Sequence, residues 1–284
     1  MAYFAGIDVG GSHVEGVLTA SDMQVSKRIR IGISKRSRKS FLKAIKEILD
    51  GFAESGLKGV GFGVPGPVRK GVMFWSCNST FLENIDFMKI GKRYSSRVVV
   101  DNDVNAMAFG EALSGSIKNL LAVTLGTGVG GGIVIEGSVY SSRPFAGEVG
   151  HMSIDTEGVK CTCGSRGCWQ EYAGSRGVKR LSKKHLGRAY EPERLYLMAE
   201  DGDRKALNLW KDYGRLVGAG LANLSNILDP EAIVLGGGIS AAFEFFEKSM
   251  KDEMKKRLRM KPPKVIRARE DAVAFGAACM AMKA

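Results

Sequence analysis

Four short apolar runs rich in Val, Ile and Leu each break into a cluster of glycines: GIDVGG at 6–11, GVGFGVPGP at 59–67, LGTGVGGG at 125–132 and LGGGIS at 235–240. A β-branched run of that length followed by glycine reads as a strand ending in a tight turn. Glycine makes up 37 of 284 residues, well above the usual share of about 7%, and the excess sits at these strand ends. A turn whose backbone approaches an anion needs residues without Cβ, because several N–H groups then converge without steric cost. Gly10, Gly11 and Ser12 fit that role, as do Gly126, Thr127, Gly128, Gly130 and Gly131, with Thr127 adding a hydroxyl. Neither turn ends in the Gly-Lys-Ser/Thr of a P-loop, and neither has the spacing of a dinucleotide fingerprint. Both stand at the tip of two strand-like runs, which points to an internal duplication.

Between the turns the pattern alternates. Three strand-like runs span Tyr3 to Ile33, a helical spacing covers 39–54, and strands are expected at 59–64 and 97–100 with a helix over 104–113. The theme restarts with strands at 120–125 and 132–135, and continues to a strand at 232–235 and a last helix at 271–282. Strands alternating with helices indicate an α/β fold. A hydrophobic share of 44% with 25% charged residues is ordinary for a globular chain. No apolar run reaches the ~18 to 20 residues of a membrane helix, and MAYFAGIDVGG has no basic leader, so a cytoplasmic location is expected. The net charge of +12 is local: 27–46 holds nine Lys or Arg and no acid, and 248–269 holds ten against two acids. Both stretches overlap helical apolar spacings, so the charges are read as solvated outer faces.

Three groups carry chemistry. In VVVDNDVNA, Asp101, Asn102 and Asp103 stand between a β-branched strand and an apolar helix. One such residue suffices to cap a helix, which leaves a carboxylate and an amide for a ligand at the strand end. A carboxylate accepting a hydroxyl proton while Mg²⁺ and backbone donors carry phosphate charge is the minimum apparatus for phosphoryl transfer. Asp8, just before the first turn, is placed to reach a phosphate-bound Mg²⁺. Finally, His151, Cys161, Cys163 and Cys168 make a Cys₃His set, the composition of a closed structural Zn²⁺ site. Disulfides do not suit a chain read as cytoplasmic. A rigid knot at these residues orders Glu148 on one side and Gln170 and Glu171 on the other, and carboxylates there can grip vicinal sugar hydroxyls.

Taken in order, D-x-G-G-S at 8–12, G-V-P-G-P-V at 63–68, D-N-D-V-N-A at 101–106, L-G-T-G-V-G-G-G at 125–132, A-G-E-V-G-H at 146–151, C-T-C-G-S-R-G-C at 161–168 and L-G-G-G-I at 235–239 resemble the ROK family. That family contains sugar kinases and sugar-responsive repressors on the actin-like ATPase (ribonuclease H-like) fold. The resemblance implies an α/β chain of two duplicated lobes around a cleft. Residues 1–114 with a terminal helix at 271–284 would form one lobe, and 115–270 the other, with a zinc knot at 151–171. It also implies an ATP-dependent kinase acting on the 6-hydroxyl of a hexose or N-acetylhexosamine, with Asp103 as base. Asn102, Glu148 and His151 would hold the sugar, with Asn78 reaching it and Gln170 or Glu171 supplying a further grip. Asp8, Gly10, Gly11, Ser12, Gly126, Thr127 and Gly128 would serve the phosphates and Mg²⁺, and Gly236, Gly237 and Gly238 the nucleoside.

Three positions depart from the family pattern. Ser12 replaces Thr, His13 stands where Lys is frequent, and Gln170 occupies the place of the sugar-gripping Glu, with Glu171 one residue later. An amide donates as well as accepts, so a preference for an N-acetylated hexosamine is one expectation. Repressors of the family carry an extra N-terminal DNA-binding domain, whereas here the first strand begins at Tyr3. The expected partners are therefore sugar and ATP, with no nucleic acid and no membrane, in a homodimer or homotetramer by analogy. A noncatalytic sugar-sensing regulator is the alternative.

Overall fold

The computed structural model of the protein describes residues 1–76, 79–141 and 145–284. Its first stretch contains β1 (Tyr3–Val9), β2 (His13–Ala20), β3 (Val25–Gly32), α1 (Arg38–Ala53), β4 (Leu57–Val64), the two-residue strands β5 (Val68–Arg69), β6 (Val72–Met73) and β7 (Ile85–Asp86), α2 (Phe87–Gly91), β8 (Val98–Asn102) and α3 (Asp103–Gly115). There follow β9 (Leu120–Leu125), β10 (Val129–Ile135), β11 (Ser138–Val139), α4 (Gln170–Ala173), α5 (Ser175–Leu186), α6 (Pro192–Glu200), α7 (Arg204–Leu228), β12 (Ala232–Gly236), α8 (Phe243–Arg257), β13 (Lys264–Arg267) and α9 (Ala272–Lys283). Two compact units result, one of residues 1–118, 132–146 and 269–284, the other of residues 119–131 and 147–268.

The first sheet is ordered β3-β2-β1-β4-β8, antiparallel on the hairpin side and parallel from β1 through β4 to β8. The second is ordered β11-β10-β9-β12-β13, with β12 parallel to both β9 and β13. The strand order thus repeats, and the two glycine turns join equivalent strand pairs. Before Phe87 the chain also holds the small sheet β5-β6-β7. Two-residue strands are too short to leave a period-two pattern in the sequence.

Both faces of the first sheet are covered, by helices of different character. On one face, α1 buries Phe41, Ile45, Ile48, Leu49 and Phe52 among Ala5, Ile7 and Val9. Each such side chain contributes about 1.5 to 3 kcal/mol, an upper estimate because denatured chains already bury part of this surface. Against Phe4 and Val17 on the other face lies α9, built almost wholly of small residues. Its backbone comes so close that a Cβ at Gly61 would stand 1.9 Å from the Ala277 carbonyl oxygen, and one at Gly6 1.8 Å from that of Ala274. Where α3 crosses α9, a Cβ at Gly276 would stand 1.8 Å from the Ala106 carbonyl oxygen. Gly61→Ala is therefore expected to destabilise the protein by about 3 kcal/mol or more, since the clash is with backbone and not with a movable side chain. Denaturant midpoints measure this, and an unchanged midpoint would mean that α9 lifts without cost.

In the second unit, α7 and α8 pack around a cluster of Trp210, Tyr213 and Phe246. The basic stretch at 248–269 begins on α8, whose buried residues are Phe246, Met250 and Met254, and Lys251 and Arg257 pair with Glu247 and Glu253 on the same helix. Trp169 is fully buried, donates its indole N–H to the Leu216 carbonyl at 3.0 Å, and lies where any Cβ at Gly220 would meet its ring. No described helix is long and apolar enough to cross a membrane.

Candidate functional site

In the first unit the register aligns the acidic groups. Asp8 pairs across β1–β4 with Gly63, and Gly63 across β4–β8 with Asp101. The three residues form one row at the ends of parallel strands, and α3 starts two residues later. Each member of Asp101-Asn102-Asp103 has a separate role. Asn102 is the cap, its Oδ1 accepting from Val104 N at 2.9 Å and Asn105 N at 3.4 Å. Asp101 is turned inward, its Oδ1 accepting from the buried Asn105 amide at 2.9 Å and from Asn102 N at 2.7 Å. Burial pushes the Asp101 carboxyl above the usual range, opposed by those two hydrogen bonds. For Asp103, burial and then the neighbouring Asp8 charge push the carboxyl up to about 7. A carboxylate that titrates near neutrality is suited to taking a proton.

At the first turn, Gly11 and Ser12 are exposed, and a Cβ at Gly11 would meet nothing. The His13 ring closes under Gly10, with Nε2 3.6 Å from Asp8 Oδ2. Asp8, His13 and Glu15 bring ligand atoms within 4.8 Å of one another. Glu15, however, is held by Arg28 and Arg30, and imidazole is a poor ligand for a hard cation. Of the three, Asp8 is the group whose chemistry fits Mg²⁺.

In the second unit, the turn at Gly126–Gly128 closes with Gly126 N donating to Gly128 O at 3.0 Å, and Ser175 N at the start of α5 donates to Gly126 O at 2.8 Å. Gly237, at φ +83°, sits where a Cβ would stand 2.4 Å from the Leu125 carbonyl oxygen, so the 236–238 turn adjoins the 126–128 turn. Open space surrounds Gly126 and Gly238. These expected phosphate and nucleoside residues are therefore neighbours within one unit.

The Cys₃His set also converges, with its four ligand atoms within 4.8 Å of one another. Cys163 and Cys168 sulfurs are 3.6 Å apart, and Cys161 Sγ is 4.0 Å from His151 Nδ1. A tetrahedron with Zn–S bonds of about 2.3 Å has sulfurs about 3.8 Å apart, so the donor set fits zinc in type and spacing. Gly164 (φ +95°) and Gly167 (φ +67°) make the turn that brings the thiols round. Burial and the adjacent thiols raise Cys168 to about 12, whereas Cys161, whose own burial works upward, is drawn down by hydrogen bonds from Cys163 N–H and the Gln170 amide. With Nδ1 toward the thiols, His151 keeps Nε2 on the side of Glu148, 3.9 Å from its Oε2.

The other expected sugar residues are unequal. Glu148 is exposed. Glu171 is buried and committed, its carboxylate accepting from both Nε (3.1 Å) and Nη2 of Arg176 with Arg180 nearby. Gln170 donates its amide to Cys161 Sγ at 3.2 Å. Asn78 lies outside the described residues, as does Cys77. Sequence reasoning missed the tie from Arg176 to Glu171, although their i,i+5 spacing across Gly174 was visible. Asn105, four residues after Asp101 on an apolar helix, was the signal for the inward carboxylate.

Known proteins of one family resemble this chain along nearly its whole length. The ROK family profile matches residues 4–284. The xylose repressor of Bacillus subtilis is 30% identical over 268 residues, covering 90% of this chain and 69% of that protein. A glucokinase of Halalkalibacterium halodurans is 30% identical over 277 residues, covering 88% and 84%. Among solved structures, a ROK family glucokinase from Streptomyces griseus in complex with glucose and AMPPNP superposes with a TM-score of 0.85 at 26% identity, covering all of both chains. With the family's pattern matched from the first strand to the last residue, and with its α/β sugar-kinase fold, the chain is a member of the ROK family.

Proposed function

We propose that the protein is an ATP-dependent sugar kinase that phosphorylates the 6-hydroxyl of a hexose or N-acetylhexosamine. The observation that carries this reading is Asp103 at the β8–α3 junction, with its carboxyl raised to about 7 and its neighbours Asn102 and Asp101 engaged in capping and inward hydrogen bonds. Asp103 takes the proton of the 6-hydroxyl as that oxygen forms its bond to the γ-phosphorus. The bond from γ-phosphorus to the bridging oxygen breaks, and ADP leaves. Backbone N–H groups at Gly10–Ser12 and Gly126–Gly128 take up phosphate charge, and Gly236–Gly238 receive the nucleoside. Asp8 would hold Mg²⁺, which when bound neutralises phosphate charge. His151, Cys161, Cys163 and Cys168 would hold zinc, which when bound fixes His151 and Glu148 in place. The sugar is then held by Asn102, Asp103, Glu148 and the free Nε2 of His151, with Glu171 serving as the anchor of α5.

A noncatalytic, sugar-sensing role is the second reading, favoured by the repressor relatives that match over the same stretch as the glucokinases. ADP release from ATP-Mg²⁺ across glucose, mannose, fructose, N-acetylglucosamine and N-acetylmannosamine separates the two. Sugar-dependent turnover of at least about 1 s⁻¹, the low end of ordinary enzymes, is expected with one of them. Sugar binding without turnover would establish the regulator instead.

A further inference from the structure

Gln170 is the first residue of α4 and stands between two immobilised neighbours. Trp169 before it is locked in the core by its bond to Leu216 O, and Glu171 after it is clamped by Arg176. The backbone at 170 is thereby fixed, and its side chain lies between the thiol cluster and the 126–128 turn. On one side Nε2 is 3.2 Å from Cys161 Sγ. On the other, Oε1 lies 2.9 Å from where a Cβ at Gly128 would stand. A metal-bound thiolate accepts hydrogen bonds and donates none, so the amide can hold only this orientation toward it.

We infer that Gln170 is a positioning residue for the metal in this chain: its amide donates an N–H···S bond to Cys161, in a space bounded on the Oε1 side by Gly128. This rests on the zinc reading of the Cys₃His set. The resemblance puts a sugar-gripping carboxylate at position 170. Here the donor is used on sulfur, and a carboxylate in its place has no N–H to give and faces a negatively charged ligand.

The full chain, loaded with Zn²⁺ or Co²⁺, tests the inference without reference to activity. Gln170→Met keeps the length and removes the donor, and Gln170→Glu keeps the shape and removes the N–H. Both are expected to surrender zinc to a chromophoric chelator about ten- to a hundredfold more readily than the parent, as loss of outer-shell partners does. In the Co²⁺ form the sulfur-to-metal charge-transfer band is expected at longer wavelength, because an unbonded thiolate holds its electrons less tightly. Gly128→Ala, which leaves Gln170 in the chain but obstructs its Oε1, is expected to shift both readouts in the same direction. Parental zinc retention and an unchanged Co²⁺ spectrum in both position-170 variants would overturn the inference. A parent protein that binds neither metal would overturn the Cys₃His reading itself, and the inference with it.

Discussion

Asp103→Asn is expected to lower kcat by about two to four orders of magnitude, the range removed with a positioned general base, while sugar binding measured by calorimetry changes only a few-fold. The asymmetry arises because the amide keeps the shape and the bond to Val104 N but cannot take the 6-hydroxyl proton. The pH dependence has a definite sign. Burial and the Asp8 charge raise the Asp103 carboxyl to about 7, and the base must be ionised to act, so kcat/KM is expected to rise with pH through about 7 and level above it. Asp8→Asn removes the repelling charge and should move that limb to lower pH. Stability runs the other way. A carboxyl raised in the folded state contributes stability that is fully present below its unfolded value and is lost as pH rises through about 7. The asparagine variant should therefore lose less thermal stability than the parent between pH 6 and 8. Full turnover in the variant, or a parent profile flat from pH 6 to 8, would remove Asp103 from the role of base.

Much of this site was legible in the sequence because its parts are local. A glycine turn and a capped helix start are each written within ten or so residues and the Cys₃His set within 18, and the structure forms α3 at Asp103 and brings the four candidate ligand atoms together. The strands around them were legible for the same reason, since β1 and β9 are buried runs that end where the glycine turns begin. What escaped depends on close approach between segments far apart in sequence. The small residues of α9 gave no hydrophobic period, yet they let the helix lie directly on Gly6 and Gly61. The pairing of Glu171 was likewise hard to read from the sequence, since Arg176 and Arg180 lie beyond Gly174 and their side chains fold back onto Glu171.

Removing the metal is expected to have the second large effect, on sugar binding. From Ser153 to Cys168 the described backbone has two isolated bridges, Ser153 with Cys168 and Lys160 with Arg166, and no helix or strand. A handful of hydrogen bonds at about 1 kcal/mol each opposes an ordering entropy of about 1 to 2 kcal/mol per residue. Sixteen or so residues cannot hold such a shape on hydrogen bonds alone. Structural zinc contributes on the order of 10 kcal/mol at neutral pH, enough to change that balance. Stripping it should leave Trp169 in the core, because its anchor to Leu216 O belongs to α7, while the amides of 153–168 lose hydrogen-exchange protection. His151 then loses the constraint on its ring, and affinity for the preferred sugar should fall at least tenfold. Acid should reproduce the effect, because the cysteine ligands bind zinc as thiolates and protons compete for them as pH falls. Readdition of zinc should restore both protection and affinity. Metal-free protein that binds sugar as tightly as the loaded form would show that the knot and the sugar site are independent.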